Sequence, residues 1–163
     1  MALTKVIGDA IGTVANQFAG GNMSPDSIIQ TVFSVDDSET TTTSTSYVTT
    51  GLTRTITLSA TSSKVLIISN NNFYNGGAFL VLGSLFRGST NLANANGLIQ
   101  ANTSGRGSMG FTQSMFTIDS PSSTSQLTYG TFFKINTGST NGFSSINNGR
   151  DYLICMEIRG WQH

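Results

Sequence analysis

Charged residues are scarce in this sequence. Asp, Glu, Lys and Arg make up 10% of its 163 residues, against about a quarter in typical proteins, and eight basic residues cancel eight acidic ones. A nucleic-acid-binding protein needs a basic patch to meet phosphates, and attachment to an anionic membrane needs clusters of Lys and Arg. The composition therefore argues against both partners and favours a protein or a glycan.

Residue types that often carry catalysis or bind metals are also few. Cys155 is the only cysteine and lies in the apolar run YLICMEI, which indicates a small core residue and leaves no disulfide or metal-ligand spacing. The only histidine, His163, is the last residue, which argues against Ser/His/Asp and Cys/His triads. We expect no metal and no cofactor.

Long apolar runs and targeting signals are missing as well. No run approaches the ~20 apolar residues of a transmembrane helix, and the N-terminal residues lack the features of a signal peptide. We expect no insertion into a membrane.

Uncharged polar residues take the place of charge. Ser, Thr and Asn supply more than a third of the chain, with 18 glycines, yet ten Phe, four Tyr and repeated Ile, Val and Leu clusters argue against disorder. The clearest pattern runs from position 52 to 58, where Leu52, Arg54, Ile56 and Leu58 alternate with Thr residues. This predicts a half-buried strand, and the following run VLII at 65–68 predicts a strand covered on both faces.

Further strands are predicted along the rest of the chain, with no helical pattern between them. Asn-rich and Gly-rich stretches, such as NNNFYNGG at 70–77 and NTGSTNG at 136–142, predict turns and loops. Gly83 marks a bulge or a close approach within its strand. Seven to nine short strands separated by turns predict an all-β fold, an antiparallel β-sandwich of jelly-roll type. The further strands are predicted at 28–35, 78–86, 98–99, 109–118, 127–135, 143–146 and 152–158.

The N-terminal residues 1–25 differ from the strands that follow. Their apolar residues Ile7, Ile11, Val14 and Phe18 are spaced to line one face of a short helix, which Gly residues weaken by about 1 kcal/mol each. We therefore predict an arm at 1–25, possible as a helix only against a partner surface, and a β-sandwich domain at 26–163.

Three carboxylates remain as candidates for a glycosidase pair: Asp119, Asp151 and Glu157. Each lies beside a strand end or an Arg, as structural ion pairs do, so we expect no enzyme. Asp36, Asp37 and Glu39 lack the spacing of a calcium loop and are interpreted as a solvated loop.

Four segments together resemble a known family. STSYVTTGLTRTITLSATSSKVLI, RGST, DSPSSTSQLTYGTFFK and YLICMEI follow one another in this order, and the pattern resembles the β-domain of virion structural and tail-fibre proteins of marine and cyanobacterial tailed phages. The resemblance covers about residues 28–160, and the opening MALTKV is similar to the starts of several phage fibre proteins.

The resemblance implies a non-enzymatic virion component, a homotrimer whose arm anchors a distal β-knob to other virion proteins. The chain has no extended shaft, which leaves open a short fibre or spike on the tail, or a decoration or head-fibre protein on the capsid. The anchoring residues would be Leu3, Ile7, Ile11, Val14 and Phe18.

A host-surface glycan is a further candidate partner. Aromatic residues near turns can stack on sugar rings, although packing in the core or between subunits explains them as well. The candidate receptor-facing loop residues are Asn72, Tyr74, Asn75, Asn141 and Phe143.

Overall fold

The computed structural model describes residues 24–76, 80–102, 108–136, 142–144 and 149–160, and all regular structure in these ranges is β-strand. Two antiparallel sheets pack on each other, which confirms the predicted β-sandwich. No helix in the described part of the chain is long and apolar enough to cross a membrane. The strands are β1 (Ile28–Asp36), β2 (Thr40–Thr42), β3 (Val48–Thr57), β4 (Lys64–Asn75), β5 (Leu80–Arg87), β6 (Thr90–Asn91), β7 (Ile99–Asn102), β8 (Met109–Asp119), β9 (Gln126–Ile135), β10 (Gly142–Ser144) and β11 (Asp151–Ile158).

The strand order is that of a jelly roll. The first sheet runs β8–β4–β11–β1, with the short β10 and β2 beside the far end of β4. The second sheet runs β3–β9–β5, with β6 and β7 both on the far edge of β5. Without the three shortest strands, β2, β6 and β10, the eight that remain are ordered 1-8-3-6 and 2-7-4-5 in chain sequence. This is the jelly-roll arrangement that the sequence predicted.

The core lies between the inward faces of the two sheets. Leu52, Ile56 and Leu58 are buried as their alternation predicted, whereas Arg54 in the same alternation is exposed. Cys155 is a buried core residue, as expected, and burial raises the pKa of its thiol to about 12. The largest fully buried side chains come from both sheets: Tyr129, Phe73, Phe133, Leu52, Ile67, Leu85 and Met115.

The predicted turn at 70–77 is wrong for its first six residues. β4 continues as a strand through Asn75, and β8 pairs with it from Val65 to Asn75, that is, with every residue of β4 except Lys64. Asn has a low intrinsic preference for strands, but contacts with the neighbouring strand can outweigh this preference. Here Asn70 donates a side-chain hydrogen bond to Ser114 of β8, and Asn72 accepts one from Thr112.

Two smaller differences concern the loops. The polar stretch DDSETTTTSTS contains the short strand β2, which pairs with β10 and was not predicted. An edge strand is present near the predicted one at 98–99, but β7 begins at Ile99 and extends to Asn102, into the predicted loop. At Gly83 the close approach is confirmed, because an added Cβ would lie 2.8 Å from Ile99.

Several sequence predictions lie outside the described residues. The arm residues Leu3, Ile7, Ile11, Val14 and Phe18 belong to the range 1–23, and Asn141 and His163 are also outside.

The segment between β5 and β7 folds back onto β5. Leu98 N donates to Gly83 O at 2.9 Å, and Leu92 N donates to Leu85 O at the same distance. Gly97 has a φ of +77°, and an added Cβ would lie 2.4 Å from Gly83 O and 2.5 Å from the Tyr47 hydroxyl. The segment therefore reaches β5 only because Gly97 has no side chain.

Gly97→Ala is expected to lower the free energy of unfolding by at least about 2 kcal/mol, because it combines left-handed strain with a backbone clash. Gly88→Ala is the matched control: its φ is +55°, but nothing lies within 4 Å of an added Cβ. The control should lose only about 1 kcal/mol of stability, because it introduces the left-handed strain without a clash. Urea unfolding measures both, and equal losses would contradict the clash.

Candidate functional site

The outward side of the first sheet carries a continuous row of apolar side chains. In the strand register Phe33 of β1 pairs with Ile154 of β11, Ile154 pairs with Ile68 of β4, and Ile68 pairs with Phe116 of β8. All four alternate along their strands with more deeply buried residues, so they point away from the second sheet. The row crosses all four long strands of the sheet.

Neighbouring rows extend this surface along the strands. On one side Leu66 and Met156 continue it, and on the other side Tyr152 and Val35 do. The outward Thr31, Asn70 and Ser114 in these rows are polar, and the next row contains the outward Ile28 and Ile158. We call the apolar outward residues of all these rows the apolar face. Its members are Ile28, Phe33 and Val35 of β1, Tyr152, Ile154, Met156 and Ile158 of β11, Leu66 and Ile68 of β4, and Phe116 and Ile118 of β8.

The apolar face is exposed to a degree that a soluble monomer rarely tolerates. Phe33 and Phe116, at opposite sides of the sheet, are 65% and 73% exposed. Single exposed apolar side chains are normal, but a contiguous group of them indicates an interaction surface. The strand at 65–68 was predicted to be covered on both faces, and this prediction is wrong in the part of the chain that the structure describes. Val65 and Ile67 are buried, while Leu66 and Ile68 are only half-buried.

The second sheet has a different outer surface. On β3 the outward positions are exposed Thr residues, such as Thr55. On β5 and β9 the outward Phe86 and Phe132 stack on each other with ring centroids 4.2 Å apart, and Tyr47 covers Phe86 at 5.4 Å. Lys134 Nζ lies 4.6 Å from the centre of the Tyr47 ring. The chain thus covers the apolar residues of the second sheet by itself and leaves those of the first sheet open.

The four candidate receptor-facing residues that the structure describes lie in strands and not in a loop cluster. Asn72, Tyr74 and Asn75 lie within β4, and Asn75 is fully buried, so their prediction as loop residues is wrong. Phe143 lies in the short strand β10 rather than in a loop. A role of these residues in receptor binding stays a prediction.

Asn72 does line an open cleft at the end of the first sheet. The cleft has a volume of about 330 Å³ and lies beyond the polar rows that follow the apolar face. Thr112 Oγ1 donates to Asn72 Oδ1 at 2.7 Å, so the polar side chains at the cleft bind each other. Its lining residues are Asn72, Phe73, Gly110, Phe111, Thr112 and Gly149.

Asp119, the first of the three candidate carboxylates, links the two sheets. It lies at the end of β8 and accepts hydrogen bonds from Arg87 Nη1 at 2.7 and 2.9 Å. The buried Tyr129 donates its hydroxyl to Asp119 Oδ2 at 2.7 Å. Burial, followed by this bond to a carboxylate, raises the pKa of Tyr129 well above its usual range.

Glu157 ties the first sheet to the connection between β3 and β4. It is fully buried and accepts hydrogen bonds from Ser59 N and Ser59 Oγ at 2.8 and 2.6 Å. Gln30 Nε2 donates to its other oxygen at 2.6 Å and also to Thr57 O. Burial opposes ionisation, but the hydrogen bonds from Ser59 and Gln30 outweigh it and hold the pKa of Glu157 below its usual value.

Asp151 fills a gap in the pairing of β4. On one edge of β4, β11 pairs as far as Asn70 and β10 resumes at Phe73. Between them Asp151 Oδ1 accepts from Asn72 N at 2.8 Å, and Asp151 Oδ2 accepts from Asn71 Nδ2 at 3.0 Å. Each of the three carboxylates therefore holds strands together. Asp119 does so in an ion pair with Arg87, as expected from the sequence, whereas the hydrogen bonds described above for Asp151 and Glu157 come from uncharged donors.

Across the described ranges, no three or more His, Cys, Asp or Glu residues lie close enough together to hold a metal ion. No protein-family model matches the chain, and no curated protein is significantly similar to it. The apolar face, which no catalytic or metal-binding motif in the sequence pointed to, is thus the strongest candidate site. Its signal was the pair of runs VLII and YLICMEI, in which both faces of the strand are apolar.

Glu157→Gln is expected to lower the free energy of unfolding at pH 7 by about 1–3 kcal/mol, because the new amide group must face a donor. The folded-state pKa of Glu157 lies below its ordinary value of 4.5, so its contribution is present above pH 4.5 and is lost as the pH falls through the folded-state pKa. The difference between wild type and variant should shrink correspondingly in urea unfolding measured from pH 7 to pH 3.

The matched control for this experiment is Glu39→Gln, which removes the same charge from an exposed position. Its stability should stay within about 0.5 kcal/mol of the wild type. A Glu157→Gln protein that follows this control at every pH would contradict the assigned role.

Proposed function

We propose that this chain is a non-enzymatic structural protein of a phage particle, in which an N-terminal arm attaches a trimeric β-knob to the tail as a short fibre or spike. The observation that carries the proposal is the apolar face on a jelly-roll domain whose other sheet covers its own apolar residues. Such a surface destabilises a free monomer in water but suits a protein that is permanently assembled. The resemblance of four sequence segments to virion proteins suggests that this assembly is a phage particle.

The engagement of the carboxylates supports a structural role. Asp119, Asp151 and Glu157 hold strands and sheets together. Their carboxylate oxygens accept hydrogen bonds from Arg87, from the backbone of Asn72 and from Ser59, respectively. A catalytic pair would need both carboxylates to face one cleft and to bind a substrate. The hydrogen bonds that these three carboxylates accept come from residues of the fold.

The arm supplies attachment in this proposal. Its apolar residues Leu3, Ile7, Ile11, Val14 and Phe18 would lie against another virion protein, which would compensate for the low helical preference of the Gly residues among them. The knob would then point away from the particle. The alternative on the same reasoning is a decoration or head-fibre protein that stabilises or ornaments the capsid.

Deletion of residues 1–20 is expected to leave a folded domain that no longer enters particles, because the described strands and their core begin after this range. Immunoelectron microscopy of purified virions with a labelled chain measures incorporation. It also shows whether the label lies on the tail or on the capsid. The control is the pair Asp9→Ala and Thr13→Ala, which lies off the predicted apolar stripe. If the truncated chain is incorporated to the same extent as this control, the arm does not attach the chain to the particle.

A second candidate function is recognition of a glycan on the host surface. The observation that favours it is the cleft of about 330 Å³ lined by Asn72, Phe111 and Thr112, since sugars bind where an aromatic surface meets amide and hydroxyl groups. The cleft lies at the polar end of the first sheet, so a glycan there would not compete with contacts at the apolar face.

Thr112→Lys is expected to obstruct the cleft and to reduce binding on a glycan array by at least tenfold, about 1.4 kcal/mol. Thr112 is exposed, so the domain should remain folded. Thr55→Lys on the outer face of β3 carries the same change away from the cleft and should bind as the wild type does. If the two variants bind equally, the cleft is not the glycan site.

A further inference from the structure

The apolar face is large enough for a stable contact between proteins. Phe33, Phe116 and Tyr152 are 65%, 73% and 45% exposed, and with about 200 Å² per aromatic side chain they offer roughly 370 Å². Ile28 and Ile118 are 53% and 59% exposed, and together with the half-buried aliphatic side chains they add a comparable area. The face therefore approaches the roughly 800 Å² per partner that specific interfaces bury.

The chemistry of the face suits another copy of the same face. Lys64, at its margin, is the one charged residue among the outward positions of these rows, and the whole chain has a formal net charge of zero. Two copies can therefore approach without repulsion between like charges. A partner selected by complementary charges would find none within the face and only Lys64 at its margin.

The predicted arm is too narrow to cover the face from within one chain. A helix with its side chains is about 10 Å wide, whereas the outer backbones of four strands about 4.8 Å apart are separated by about 14 Å. Phe33 and Phe116 lie on those two outer strands. A helix laid along the strands would leave at least one of them exposed to water, while the broad surface of another domain can cover both.

We propose that the apolar face is the surface through which copies of this chain associate, with Phe33 and Phe116 as its main contacts. This inference rests on the proposed function and deepens it, because it names the partner of the face as a second copy of the chain and not another particle protein. It also accounts for the runs VLII and YLICMEI, which are apolar on both faces: the second sheet covers one face, and a neighbouring copy covers the other.

The test is the mass of the purified full-length chain, measured by sedimentation equilibrium over a range of concentrations. We expect an oligomer, with three times the 17.2 kDa of one chain for a trimer. Phe33→Glu and Phe116→Glu should each raise the concentration at which the oligomer dissociates by at least about 30-fold, because each replaces a large apolar contact with an unpaired charge that association would bury. Thr55→Glu, an exposed position on the second sheet, is the matched control and should leave dissociation unchanged.

Circular dichroism and thermal unfolding verify that the variants are folded. Both Phe side chains are mostly exposed, so their replacement should not disturb the core. If either variant unfolds, Ile118→Glu on the same face replaces it in the comparison with Thr55→Glu. Variants that dissociate no more readily than this control would overturn the inference.

The mass also separates this inference from the proposed function. A full-length chain that is monomeric at every concentration but present on virions would overturn self-association and leave the structural role intact. An oligomer that is missing from virions would overturn the structural role in the particle and leave self-association intact. A dimer that the Phe variants dissociate would support the face and contradict only the trimer.

Discussion

The first sheet depends on β4 having partners along both of its edges. β8 pairs with one edge from Val65 to Asn75, and on the other edge β11 and β10 pair with successive parts of the strand. Buried backbone groups must be hydrogen-bonded, so the gap between β11 and β10 would be costly if it stayed open. The Asp151 carboxylate closes it by accepting from the backbone of Asn72. One side chain thus completes the hydrogen bonding along this edge of β4.

The sequence predicted the strands whose pattern is local and missed the ones that depend on distant partners. Alternation located the inward Leu52 and Ile56 correctly, because a period of two follows from strand geometry alone. The Asn-rich end of β4 was assigned to a turn, because its stabilising partners Asp151 and Thr112 are 79 and 40 residues away from Asn72. No local pattern contains that information.

The same limit applied to the candidate site. The apolar run VLII indicated a strand with two covered faces, and this prediction required only composition, whereas for YLICMEI only a strand and a buried Cys155 were predicted. Which face would lack a cover was not predictable, because it depends on the sheet order: β4 and β11 are adjacent and flanked by β1 and β8, so their outward residues join into one surface. The row from Phe33 to Phe116 exists only in this register.

The two outer faces of the sandwich explain how a chain with so little charge can present itself to solvent. On β3 the outward Thr hydroxyls interact with water without any charge, and burial of the apolar face between copies would leave mainly such polar neutral residues outside. A neutral surface exerts no long-range electrostatic attraction, so each contact with a host would depend on short-range hydrogen bonding and stacking and would be weak. Several knobs held in one oligomer raise the effective concentration of such contacts by orders of magnitude. In the proposed assembly, self-association through the apolar face and recognition by a neutral surface would therefore be complementary, because the first would compensate for the weakness of each contact made by the second.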